Sequence, residues 1–126
     1  MSELQEAIER VTGALTSLRI AAQPEEMELH RAVSEALTRA DIAFVHEAKL
    51  APRCRIDFLA GRIGIEVKKG RPAAAALRGQ LARYLAGDRL DAVVVVAQRT
   101  VALPRAIQGK PVALVTLDRL WGVALP

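Results

Sequence analysis

Asp57, Glu66 and Lys68 are the residues whose types and spacing could do chemistry: two carboxylates and an ammonium on one surface can share a divalent cation and face a phosphate. They lie on two strand-like segments, Arg55-Ile56-Asp57-Phe58 and Ile63-Gly64-Ile65-Glu66-Val67-Lys68. Strand side chains alternate faces, so Ile63, Ile65 and Val67 go to a core while Gly64, Glu66 and Lys68 share the opposite face. With the two-residue step Ala60-Gly61 as the hairpin turn, Asp57 sits across from Gly64 and diagonal to Glu66, roughly 7–8 Å away between backbones. Gly64, having no side chain, would leave the space between the carboxylates open, and Lys68 would extend along the same face. The competing reading is a solvated edge hairpin in which Arg55 opposes Glu66 as an ordinary cross-strand ion pair.

The elements that must hold these residues follow from hydrophobic periodicity and capping. Ser2 and Gln5 open a helix whose apolar positions are Leu4, Ile8, Val11, Leu15 and Leu18. A second helix starts at Pro24 and runs to Ala40, and Asp41 marks the break into a strand over residues 42–50. After the hairpin, Gly70-Arg71-Pro72 leads into an alanine-rich helix to Ala86, with Leu77, Leu81 and Leu85 on its buried side and Gly87 as its cap. Residues 92–97 form a continuous apolar, β-branched run, which predicts a strand buried on both faces near the middle of a mixed sheet. Pro104 to Gln108 reads as a helical turn, Val112 to Leu117 as a strand, and Asp118 as the cap of a short closing helix carrying Trp121.

This order of elements, with Asp57 preceding the strand Ile65-Glu66-Val67-Lys68, resembles the PD-(D/E)XK nuclease superfamily over residues 25–97. Gln80-Leu81-Ala82-Arg83-Tyr84 is similar to the Gln-x-x-x-Tyr motif of its RecB-like branch, and residues four apart share one helix face. Ile56 stands where many relatives carry a proline before the aspartate. The resemblance implies an α/β, restriction-endonuclease-like αβββαβ core with a mixed central sheet flanked by helices. Residues 1–22 would add an accessory helix and residues 98–126 a C-terminal extension, all within one domain spanning 1–126.

The resemblance also implies roles. Asp57, Glu66 and the Val67 carbonyl would hold Mg²⁺, with Mn²⁺ able to substitute, and Lys68 would orient or deprotonate the attacking water. Gln80 and Tyr84 would support the site or contact the substrate. Many relatives add a glutamate from the first core helix, and Glu28 is the candidate here, with Glu25, Glu26 and Glu35 competing and Glu47 ranked below it. His30 and His46 are not needed and read as ordinary histidines. Small domains of this kind commonly act as homodimers, and the first helix either provides that contact or packs on its own domain.

Composition supplies outer bounds. At 126 residues and 52% hydrophobic, the chain suits a single domain with one sizeable core. The acidic, periodic first segment is unlike a signal peptide and no apolar run is long enough for a bilayer, so a cytoplasmic protein without membrane contact is expected. The lone Cys54 agrees with a reducing compartment. The net charge of +4 hides a division: residues 1–48 carry four basic and nine acidic side chains, while 49–110 carry thirteen basic and four acidic, including Asp57 and Glu66. Arg55, Lys69, Arg71, Arg78 and Arg83, with Lys49, Arg53 and Arg62, could therefore neutralise phosphates. Two Phe, one Tyr and one Trp make a base-stacking platform a poor expectation. The function expected is a Mg²⁺-dependent nuclease hydrolysing phosphodiester bonds in DNA. The alternatives are a catalytically silent nucleic-acid-binding module of the same fold and an oligomerisation domain built on the first helix.

Overall fold

The computed structural model describes residues 2–18 and 24–117, so the closing helix expected at Asp118 and Trp121 lies outside it. Helix α1, Glu3–Leu15, begins where the Gln5 N–H donates to Ser2 Oγ at 3.0 Å. Helix α2, Glu26–Arg39, begins with a capping box in which the Glu25 N–H donates to Glu28 Oε1 at 3.2 Å, so Pro24 stands just outside the helix. It ends in a left-handed residue, Asp41 at φ 59, with the Ile42 N–H donating to the Leu37 carbonyl and the Asp41 N–H to that of Thr38. That motif, with Ile42 and Phe44 packed against the core, holds residues 42–44 out of the sheet, and the first strand starts later than its apolar pattern suggests.

The strands are β1 Val45–Ala51, β2 Cys54–Ala60, β3 Ile63–Lys68, β4 Ala92–Ala97, β5 Ala106–Ile107 and β6 Lys110–Thr116, with helix α3, Ala74–Leu85, between β3 and β4. They form one mixed sheet in the order β1-β2-β3-β4-β6-β5. β1, β2 and β3 are antiparallel neighbours, β3, β4 and β6 run parallel, and β5 pairs antiparallel with β6. β4 is buried along its whole length, as its unbroken apolar run requires of a central strand. The expected helical turn near residue 106 is instead β5: Gln108 and Gly109 take φ 54 and 75, the pair of left-handed residues that closes a tight hairpin onto β6.

Apolar residues divide between the two sheet faces. Ile63, Ile65, Val67, Val94 and Val96 pack against α1 and α2, while Leu59, Val93, Val95 and Ala97 pack against α3. The stripe of α1 is used within the chain: Val11, Leu15 and Leu18 are buried in the first layer, and Leu4 and Ile8 pack against it. Leu4, Ala7 and Ile8 remain partly exposed at the outer edge of this packing. No helix of the described residues is long and apolar enough to cross a membrane.

The hairpin turn differs from expectation by one residue. Ala60 pairs with Ile63 and Leu59 with Gly64, so Gly61 and Arg62 form the turn, and Gly61 takes φ 63, which alanine would adopt only with strain. Gly64 does not open a space between carboxylates. A Cβ there would collide with Ile56 Cδ1 and come within 2.9 Å of Leu90 Cδ1, so the glycine permits close packing of two buried side chains. Gly64→Ala should therefore destabilise the fold by about 1–3 kcal/mol through overpacking, read as a lower denaturant midpoint at unchanged slope.

Candidate active site

Correcting the turn brings the acids closer together. The β2–β3 ladder runs Ala60 to Ile63, Leu59 to Gly64 and Phe58 to Ile65, and the same register continued sets Asp57 opposite Glu66. At that point side chains replace main-chain rungs. The Val67 N–H donates to Asp57 Oδ2 at 2.8 Å, and the Asp57 N–H approaches Glu66 Oε1 at 3.4 Å. The carboxylates thus sit where the two strands part, and Asp57 is half-buried at the cavity on the α2 side.

On the α3 side, Glu66 is 4% exposed and its Oε2 lies 3.2 Å from Lys68 Nζ. Burial, and secondly the charge of Asp57, push the Glu66 carboxyl up from 4.5 to about 7, against the opposing pull of Lys68. Tyr84 is buried beside it, and the Gln80 amide donates to the Tyr84 hydroxyl at 2.9 Å, so this helical pair closes the site from α3. Burial and then the Glu66 charge raise the Tyr84 pKa, which keeps the phenol protonated. Burial of Glu66 excludes the solvated edge hairpin, and Arg55 faces Lys49 across the strands rather than Glu66.

On the α2 side, His30 Nε2 lies 3.8 Å from Asp57 Oδ2, and its Nδ1 shares a hydrogen bond of 2.9 Å with His46 Nε2. Both imidazoles pack on Phe58, with ring centroids 5.5 and 4.6 Å away. A cavity of about 660 Å³ opens here, lined by Glu26, His30, Ser34, His46, Glu47 and Asp57 among others. His30 is the residue that sequence reasoning missed. Only its place on the same helix face as Val33 and Leu37 hinted at the inward direction, since no motif marks it. Glu28, the expected helix acid, is exposed and spends its carboxylate on the α2 cap, whereas Glu26 and Glu47 reach the cavity.

The basic residues are placed as surface groups. Lys69 Nζ lies 3.8 Å from Glu25 Oε2, and Arg55, Arg71, Arg78 and Arg83 are exposed without an ion pair among the described residues. Val67 enters the site through its N–H.

Among the described residues no three His, Cys, Asp or Glu side chains converge as a ready-made metal site. The donors present still suit a hard cation of the Mg²⁺ kind, which is held by one or two carboxylates and keeps several waters. Burial, and secondly the charge of Asp57, disfavour the Glu66 anion, and His30 Nε2, facing Asp57, is a buried nitrogen with no hydrogen-bond partner among the described residues. The chain matches no protein-family profile, no curated protein and no solved structure.

A raised carboxyl pKa means that the folded protein binds the proton more tightly than the unfolded chain. Stability is then greatest below pH 4.5 as far as this group is concerned, falls as pH rises towards 7, and stays lowered above it. Glu66→Gln should be as stable as the parent near pH 4 and more stable at pH 8, by up to about 3 kcal/mol before screening by water and Lys68. Thermal melts across that range check this, and equal melting shifts at both ends would refute the buried-charge account.

Proposed function

We propose that this chain is a small Mg²⁺-dependent nuclease of the restriction-endonuclease-like fold, hydrolysing phosphodiester bonds in DNA. The observation that carries the reading is the convergence of Asp57, Glu66 and Lys68 where β2 and β3 part, with one carboxylate buried at the cost of a raised pKa. The element order αβββαβ and the Gln80–Tyr84 contact against Glu66 support the same assignment.

Asp57 and Glu66 would hold the cation, with His30 Nε2 available beside Asp57. Bound there, Mg²⁺ or Mn²⁺ would supply Lewis acidity for the scissile phosphate and lower the pKa of the attacking water. Asp57 keeps its geometry because the Val67 N–H fixes Oδ2, and Glu66 keeps its own through Lys68 and the Asp57 N–H. Lys68 is half-buried next to Glu66, so its ammonium is available to orient water and offset charge on the pentacovalent phosphate. Tyr84, held by Gln80, excludes water from the α3 side of Glu66.

A silent nucleic-acid-binding module of the same fold is the second reading. Its favouring observation is that Lys68 already meets the Glu66 charge at 3.2 Å, which a cation would otherwise do. Calorimetric titration with Mg²⁺ or Mn²⁺ separates the two, since the nuclease reading requires a site and the silent module does not. With Mn²⁺ and a panel of linear, nicked, flapped and branched DNA, the parent should cleave at least one substrate. Asp57→Ala, Glu66→Ala and Lys68→Ala should each lose at least about a hundredfold in rate while remaining folded. Parent-like cleavage by Glu66→Ala ends the nuclease reading.

A further inference from the structure

The β1–β2 hairpin carries a charge arrangement that its own fold does not use. Lys49 and Arg55 are direct cross-strand partners, both exposed, and like charges in that relation destabilise a strand pair. Arg53 stands between the strands at φ 62, a left-handed position where glycine or asparagine is the easier residue. A fourth cation comes from the loop before β4, where the Arg89 guanidinium donates to the Lys49 carbonyl at 3.3 Å. None of the four is ion-paired among the described residues. Four uncompensated cations at one tip are a local cost that an external anion would relieve.

Their face follows from the pleat. Ile56 packs in the α3-side layer, so its neighbours Arg55 and Asp57 turn to the other face, where Asp57 meets His30 at 3.8 Å. Arg55 is thus two residues, roughly 6.5–7 Å, from Asp57 along one strand face. That is about two rises of a nucleic-acid strand. A strip of positive charge ending at two carboxylates suits phosphates, which a divalent cation joins to those carboxylates. An acidic polypeptide would gain nothing from that end of the strip.

We propose that the tip of the β1–β2 hairpin, through Lys49, Arg53, Arg55 and Arg89, docks the phosphate backbone of a nucleic acid and leads it across Asp57. The inference rests on the nucleic-acid reading above, and its test separates binding from turnover. Fluorescence anisotropy of a labelled DNA duplex is measured in EDTA at low and moderate salt for the parent, Lys49→Glu/Arg55→Glu, and Arg39→Glu as a single charge reversal at the end of α2. The hairpin variant should lose at least about tenfold in affinity, and its log K against log salt should be shallower by about two. Arg39→Glu should stay within about twofold.

Arg55→Glu alone, which creates an attractive pair with Lys49, should melt no lower than the parent and still bind less tightly, so loss of binding is not loss of fold. Parent-like binding by the hairpin variant overturns the inference, as does an equal loss in Arg39→Glu or hairpin-dependent binding of polyglutamate but not of DNA. If the parent cleaves with Mn²⁺ while the hairpin variant binds normally, the inference fails and the nuclease reading stands. If hairpin-dependent binding persists without any cleavage, the nuclease reading fails and the docking surface stands.

Discussion

Two carboxylates take over main-chain hydrogen-bonding positions between β2 and β3, and the candidate site depends on that substitution. A strand ladder ordinarily satisfies its own N–H groups; here the Val67 N–H goes to Asp57 and the Asp57 N–H to Glu66. Burying Glu66 would be unfavourable without such partners, and the adjacent Lys68 completes the set. The arrangement holds because the neighbouring strand cannot yield. β4 is buried throughout and runs in register beside β3 from Ile63 to Lys68, so Glu66 stands on a strand backed along its length by a close-packed neighbour. The parallel pairing continues past the strand, where the Gln98 N–H donates to the Lys68 carbonyl and Gln98 Oε1 accepts the Gly70 N–H, fixing the exit of the chain behind the lysine.

The two sides of the sheet treat the site differently. On the α3 side, Tyr84, Gln80 and Lys68 enclose Glu66 with little water, which raises its pKa. On the α2 side a cavity stays open, and His30 and His46 line it with imidazole nitrogens. Asp57 reaches this second environment because the alternation of β1 and β2 changes phase beside it. His46 and Phe58 stack on the α2 side, Ala48 and Ile56 lie on the α3 side, and between them Glu47 adopts φ 55. A strand pair that kept its alternation would have turned Asp57 to the α3 side with Glu66, away from His30.

The charge division along the chain becomes a spatial one in only one respect. Lys69 from the basic half meets Glu25 from the acidic half at 3.8 Å, near the start of α2, so part of that positive charge is compensated. The cations of the β1–β2 hairpin are not, although Lys49 and Arg55 are directly opposed. Counting charges along the sequence treats these two groups alike; strand pairing distinguishes them.

Sequence alone determined what depends on periodicity and on neighbours in the chain. The buried run Ala92–Ala97 could only be an interior strand, the Ser2 cap and the apolar spacing of α2 set two helices, and alternation in Ile63–Lys68 separated core residues from Glu66 and Lys68. The pairing of Gln80 with Tyr84 was also legible, because four residues make one helical turn. Tertiary structure decided what depends on register and on which faces meet. The one-residue shift of the turn to Gly61 and Arg62 rests on which residue tolerates positive φ within a twisted hairpin, and it alone sets Asp57 opposite Glu66. The choice of His30 over Glu28 rests on the rotation of α2 when Leu29, Val33 and Leu37 are buried: that rotation leaves Glu28 in solvent at the cap and brings His30 to Asp57. The apolar stripe gives the direction in which α2 turns, but which residue of the sheet His30 then meets is set by the combined packing of side chains distant in sequence.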